Sequence, residues 1–337
     1  MKILITGAAG FIGTHLLHAL HKKGHDLVGL DNLNEFSDGK LKLDRLKYQG
    51  IKETDLEYNN FYKSTKLSNY RFIKLDLSDL DSLSQLFKQE QFHIVCNLGA
   101  QAGVRTSIDF PQVYIESNLI GFHNILECCR NYPVQHLLYA SSSSVYGANT
   151  KTPYAESDKT DQPMSLYAAT KKSNELMAYS YSSLFGIPAT GLRFFTVYGP
   201  WGRTNMAPFI FMKSIYDGKP IQIFNQGKLS RDFTYIDDIV EGIVRVMDRP
   251  PHTATPHAVY NIGHAAPVPL MDFISTIEKV MNKKAIKEYL PMQAGDVHTT
   301  YADTSALQKE FHYSPSTDLE EGIQAFYNWF ISYYENR

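Results

Sequence analysis

The sequence predicts an α/β fold: a doubly wound parallel sheet with a smaller, discontinuous C-terminal substrate-binding lobe. Three observations carry that prediction. Short apolar runs rich in β-branched residues alternate with helical periodicity through the first part of the chain. The first run ends in a glycine turn that opens a helix. After Gly199 the alternation stops, and a strand pattern that belongs with the main sheet returns only at residues 259–263. These breaks divide the chain into a dinucleotide-binding unit, residues 1–198 with 233–264, and a lobe, residues 199–232 with 265–337.

Composition bounds the partners. The chain has 337 residues, 43% of them hydrophobic, enough for a sizeable core. A net charge of -2 gives no reason to expect nucleic acid or an acidic membrane as partner, so substrate charge must be met by a few placed arginines. The three cysteines, Cys96, Cys128 and Cys129, have neither disulfide-framework nor metal-ligand spacing, so no metal is expected and a reducing cytoplasm fits. No apolar run approaches the roughly 18 residues of a membrane span, and the first strand begins too early for a signal peptide.

Residues 2–6 form the first strand, followed by Gly7-Ala8-Ala9-Gly10-Phe11-Ile12-Gly13 and a helix with Ile12, Leu16, Leu17 and Leu20 on one face. Glycines there let the backbone turn tightly and bring a pyrophosphate to the helix N-terminus. A second strand, residues 27–30, ends in Asp31, a carboxylate suited to ribose hydroxyls and repelled by a 2′-phosphate; NAD is favoured over NADP. His15, His18, His21 and His25 lie on the first helix, the last three on a face read as polar and solvated. Residues 35–69 look like an insertion, a charged helix and then a polar, tyrosine-bearing loop, with no chemistry assigned.

A third strand, residues 71–75, leads into Asp76 and Leu77, where an adenine edge is expected. A fourth, residues 93–98, ends in small residues from Gly99 to Gly103 that let the backbone pass close to a cofactor. Asn118 lies within a long helical stretch, residues 111–130. The fifth strand, residues 135–139, runs into Ala140-Ser141-Ser142-Ser143-Ser144-Val145-Tyr146-Gly147. Downstream, Tyr167 and Lys171 stand four apart, one turn of a helix. An ammonium so placed stabilises a phenolate and pulls the tyrosine pKa down from about 10 towards neutrality. Ser142, Tyr167 and Lys171 therefore form a candidate catalytic set: serine orients a hydroxyl, tyrosinate removes its proton, lysine holds the tyrosinate and the nicotinamide ribose, and hydride leaves to NAD.

With these residues the chain resembles, nearly end to end, an extended short-chain dehydrogenase/reductase of the nucleotide-sugar epimerase group, a Rossmann-like fold. It is most similar to UDP-glucuronate 4-epimerases through Gly99-Ala100-Gln101-Ala102-Gly103-Val104-Arg105, the serine run, Phe195-Thr196-Val197-Tyr198-Gly199-Pro200-Trp201-Gly202-Arg203 and Pro291-Met292-Gln293-Ala294-Gly295-Asp296-Val297. The resemblance implies bound NAD held by Gly7, Gly10, Phe11, Ile12, Gly13, Asp31, Asn32, Asp76, Leu77, Leu98, Ala100, Gln101, Asn118, Tyr167 and Lys171. For the UDP-sugar it implies Phe224 against uracil, Arg231 on the diphosphate, Gln293 and Asp296 near the uridine ribose and phosphate, and Thr300 as a small gatekeeper. Arg105 and Thr196 complete the substrate set, and Arg203 with Ser142, Ser143 and Ser144 would meet a sugar carboxylate.

Departures within the group narrow the activity. Dehydratases of the group carry Asp-Glu just after the position of Ser142, and UDP-glucuronate decarboxylases carry a glutamate at the position of Ser144; here Ser143 and Ser144 offer only hydroxyls. UDP-glucose 4-epimerases commonly carry asparagine at the position of Thr196 and lack the Trp201-Gly202-Arg203 stretch. The expectation is reversible C4 epimerisation of UDP-glucuronate to UDP-galacturonate through a 4-keto intermediate. UDP-glucose or UDP-N-acetylhexosamine epimerisation is the alternative, ahead of decarboxylation or a catalytically silent NAD-binding sensor. His298-Thr299 and Thr204-Asn205 replace the usual Pro-Ala and Pro-Asp, which loosens any finer statement about the sugar. Asp237 and Asp238 are read as helix caps, and the helices at 111–130 and 167–184 resemble those that pair in family homodimers.

Overall fold

The computed structural model describes residues 1–36, 39–52, 55–293 and 297–335. Its strands are β1 (Lys2–Thr6), β2 (Asp26–Asp31), β3 (Phe61–Lys63), β4 (Tyr70–Lys74), β5 (Ile94–Asn97), β6 (His136–Ser142), β7 (Ala189–Phe194), β8 (Thr196–Tyr198), β9 (Pro220–Phe224), β10 (Ser230–Tyr235), β11 (His257–Ile262), β12 (Pro267–Pro269) and β13 (Ile286–Leu290). Eight form the main sheet in the order β11-β7-β6-β5-β1-β2-β4-β3, all parallel except β3. The central strands are buried on both faces, which is why they read as continuous apolar runs rather than alternating ones.

Helices cover both faces. Phe11–Lys22 and Ile236–Met247 pack Leu16, Leu17, Leu20, Ile239 and Ile243 into one core. Leu80–Glu90 and Gly121–Asn131 pack Leu83, Phe87, Phe122 and Ile125 into the other, closed by Ala178 of the helix Leu166–Phe185. The strand order reverses between β1 and β5, the place where an open α/β sheet leaves a crevice at its carboxyl ends. A third core, including Phe209, Ile223, Phe273, Phe326 and Phe330, joins β9 to the helices Ala207–Asp217, Leu270–Met281 and Leu319–Glu335. Strands β8, β10 and β12 form a small sheet beside it, and β9 pairs with β13.

Several sequence expectations change. The 35–69 region does contain a helix, Gly39–Tyr48, but its polar loop includes β3, which closes the sheet edge antiparallel to β4. Strand β7, absent from the sequence reading, inserts between β6 and β11. The helix at 111–131 is interrupted by a π-helical turn, Ile115–Ile120, which contains Asn118. The histidine face is neither complete nor simply solvated. The first helix ends at Lys22, so His25 lies beyond it. His18 is half-buried with its ring centroid 4.5 Å from that of Tyr48, and burial pushes its pKa down to about 4. His15 on the same helix bonds the Pro200 carbonyl at 2.9 Å, and burial lowers it likewise to about 4. Asp237 and Asp238 sit inside the first turn of Ile236–Met247 and make no side-chain cap; Asp238 instead accepts the Ser316 and Thr317 amides.

Candidate active site

A cleft of about 1060 Å³ runs along the carboxyl ends of the sheet and on to β9 and the helix Ala207–Asp217. One end is built by the glycine turn. Gly7 has φ +68°, and a Cβ there would lie 2.9 Å from the Gly99 nitrogen; one on Gly13 would lie 2.2 Å from the Gly7 carbonyl oxygen. Only glycine permits this turn. The helix it opens has no side-chain cap at Gly10, which leaves its N-terminal amides to an anion.

Asp31, at the end of β2, accepts the Ala9 amide at 3.2 Å and the Leu33 amide at 2.9 Å, with Lys42 Nζ at 3.3 Å. A carboxylate has about four lone-pair sites, so capacity remains for a ribose hydroxyl. The Asn32 side chain donates to Asp76 at 2.7 Å. Burial pushes Asp76 up, but bonds from Asn32 and Ser78 outweigh it and hold its pKa below the usual carboxylate range. Phe11, Ile12, Leu77, Leu98, Ala100 and Gln101 line the same half of the cleft. Together these groups fit an NAD: a glycine cradle, open amides and an acid at the ribose position.

The candidate catalytic groups meet at the end of β6. Ser165 caps the helix Leu166–Phe185 by accepting the Ala168 amide, and this sets Tyr167 and Lys171 on the cleft wall. Ser142 lies opposite, its hydroxyl oxygen accepting from the Ser144 hydroxyl at 2.9 Å and the Ser144 amide at 3.2 Å. The expected lowering of Tyr167 by Lys171 is not found. Burial raises the Tyr167 pKa, while a hydrogen bond with Ser142 and the Arg203 charge pull against that rise. Lys171 Nζ instead donates to the Ala140 carbonyl at 2.9 Å, and burial lowers its pKa to about 8.

Arg203 lines the cleft along with Tyr167, and its guanidinium donates to the Ala102 carbonyl at 2.8 Å. Farther out, Arg105 lies over the Phe224 ring at 5.1 Å. Ser143, Thr196, Arg231 and Thr300 also line the cleft. Asn118 does not: it stands behind the wall, its side chain bonded to the Gln101 amide and carbonyl and to Thr170, so it fixes the backbone of Gln101. Gln293 is also off the wall, and Asp296 lies outside the described residues.

Two groups of neighbours escaped the sequence reading. Glu175, one turn beyond Lys171, pairs with Arg193 of β7 through bonds of 2.8 and 2.9 Å and accepts the Ser141 hydroxyl at 2.7 Å. Arg193 also donates to the Tyr146 hydroxyl at 3.0 Å. Arg45 and Gln49 reach the glycine turn from the 35–69 region, donating to the carbonyls of Ala9 and Ala8. The signal for the first group was a glutamate at helical spacing from Lys171; nothing local marked the second.

Comparison with known proteins agrees with this geometry. Residues 3–263 match the model of the NAD dependent epimerase/dehydratase family. Protein CapI of Staphylococcus aureus is 48% identical over 99% of this chain and 100% of its own length. A probable UDP-glucuronate 4-epimerase of Rhizobium meliloti is 43% identical over 99% of this chain and 98% of its own. Among solved structures, UDP-glucuronic acid 4-epimerase from Bacillus cereus, in complex with UDP-glucuronic acid and NAD, superposes with a TM-score of 0.87 at 35% identity, covering 99% of this chain and 100% of that one. A cleft built for a dinucleotide, a Ser/Tyr/Lys set at its centre and these matches lead to one conclusion: the chain belongs to the NAD dependent epimerase/dehydratase family.

Proposed function

We propose that the protein interconverts UDP-glucuronate and UDP-galacturonate by epimerisation at C4. The observation that carries this reading is Arg203, which lines the cleft together with Tyr167, Ser143 and Ser144 while its guanidinium is held at the Ala102 carbonyl. In this reading a sugar with its O4 at Tyr167 presents its C6 carboxylate to that guanidinium and to the Ser143 and Ser144 hydroxyls, which line the same cleft. Bound NAD supplies the hydride acceptor and donor. Tyr167 takes the O4 proton, Ser142 orients the hydroxyl, and Lys171 holds the nearby ribose and the phenolate once it leaves Ala140. The 4-keto sugar then turns about its diphosphate, held by Arg231, and Tyr167 returns the proton when the opposite face is reduced.

The 4-keto intermediate is a β-keto acid and is inclined to lose CO2. Among the described cleft-lining residues between Ala140 and Lys171 none is a carboxylic acid, so no carboxyl group there stands ready to protonate the carbon that decarboxylation would leave. Incubation with UDP-glucuronate is expected to give UDP-galacturonate, with kcat/KM falling at least tenfold in Arg203→Met and far less on UDP-glucose. Stoichiometric CO2 with a pentose product, or epimerisation of UDP-glucose alone, overturns the reading.

We also propose a cytoplasmic homodimer. Exposed Ile120, Leu176 and Tyr179 on the helical stretch 111–131 and the helix Leu166–Phe185 support pairing of those helices between copies. The free, buried cysteines accord with a reducing compartment. Light scattering is expected to return twice the 38.3 kDa chain mass; a monomer at working concentration sinks the dimer.

A further inference from the structure

The 35–69 region supplies a buried guanidinium that ties the two ends of the site together. Arg45, on the helix Gly39–Tyr48, is 1% exposed. Its Nη1 donates to the Ala9 carbonyl, in the glycine turn, at 3.2 Å. Its Nε and Nη2 converge on the Trp201 carbonyl at 3.1 and 2.7 Å, and Nη2 also reaches the Gly202 carbonyl at 3.4 Å. The next residue is Arg203. One planar fork therefore spans the cofactor turn and the loop that carries the sugar-facing arginine.

The neighbours hold this fork in place. Gln49 donates to the Ala8 carbonyl at 2.8 Å and accepts from the Tyr70 hydroxyl at 2.8 Å. Tyr48 lies against Trp201 with ring centroids 5.1 Å apart, and Trp201 lies against Trp329 at 5.2 Å. Trp201 itself has φ +60°, a left-handed conformation that a bulky side chain adopts only when its surroundings impose it. Carbonyl capture by Arg45 and the aromatic contacts supply that imposition, and they fix where the Arg203 side chain begins.

We infer that Arg45 is a positioning residue for sugar selectivity, one that aligns Arg203 against the substrate carboxylate by fastening its loop to the cofactor turn. The inference rests on the reading of Arg203 as the carboxylate ligand. Lysine at position 45 keeps the charge but places a single point donor where a fork spans three carbonyls. Both R45M and R45K are accordingly expected to weaken recognition of the carboxylated sugar more than that of the neutral one.

The test uses the NAD-loaded full chain as wild type, R45K and R45M, with UDP-glucuronate and UDP-glucose as paired substrates. The expected result is that the ratio of kcat/KM for UDP-glucuronate over UDP-glucose falls about tenfold in R45K and further in R45M, with the loss mainly in KM. The chain's two tryptophans are Trp201 and Trp329, so intrinsic emission reports on this loop. Its change on adding UDP-glucuronate is expected to shrink in both variants. A merely structural role lowers both substrates' rates together; an unchanged ratio with an unchanged emission response overturns the inference. If R45M does not fold, R45K decides by the same two readouts. A wild type that does not prefer UDP-glucuronate overturns the Arg203 reading and this inference with it, an outcome distinct from a selective wild type whose Arg45 variants stay selective.

Discussion

Tyr167→Phe is expected to lower kcat for epimerisation by about 10²- to 10⁴-fold while the UDP-sugar still binds. In the proposed reaction the phenol takes and returns the O4 proton, and phenylalanine keeps the ring while removing the titrating oxygen. The ring's packing is preserved because it meets Tyr114 edge-on, centroids 6.1 Å apart, a contact independent of the hydroxyl. Titration calorimetry with UDP-glucuronate separates binding from turnover. A variant that turns over within about tenfold of wild type excludes Tyr167 as the base. Both proteins inactive on every UDP-sugar tested would favour a silent dinucleotide-binding role.

Arg193→Met is expected to cost about 3–5 kcal/mol of stability, read by denaturant unfolding, because it strands a buried charge. Arg193 and Glu175 are each 4% exposed. Burial alone pushes the Glu175 carboxyl up; the Arg193 bonds and charge outweigh it and hold the pKa below the usual range. Without that partner the carboxylate is left with the Ser141 hydroxyl and with the more exposed Lys172, whose Nζ lies 3.4 Å away, and must ionise at a cost or take a proton. The double change Glu175→Gln with Arg193→Met removes both charges and is expected to recover part of the loss. A single Arg193→Met variant as stable as wild type would contradict this. Since Glu175 also accepts from Ser141, the neighbour of Ser142, activity should decline along with stability.

The parts of the site that were legible share one property: their geometry is local. Tyr167 and Lys171 lie one helical turn apart, and Asp31 follows the end of its own strand, so spacing alone places them. Lys171 shows the limit of that reasoning. Spacing put the ammonium beside the phenol, whereas its actual partner is the Ala140 carbonyl, 31 residues away. Arg45 was illegible for the same reason: its Trp201 contact spans 156 residues, and in sequence it is one of several cations on a charged helix. Strand β7 was overlooked because Gly191 and Arg193 break its apolar run. Yet Gly191 makes room for Tyr139, and Arg193 is neutralised by Glu175, facts that only tertiary structure supplies.

Strand β3 has a bearing on solubility. A parallel sheet ending at β4 would present the row Tyr70–Lys74 as an unpaired template for any extended chain it met. Instead β3 takes up that row for Phe61–Lys63, and the Arg71 guanidinium lies 4.8 Å over the Phe61 ring. The new margin is only three residues long and ends in a lysine, a form of edge that resists further pairing. The same excursion of chain whose Arg45 holds the Trp201 and Ala9 carbonyls therefore also guards the flank of the sheet against self-association.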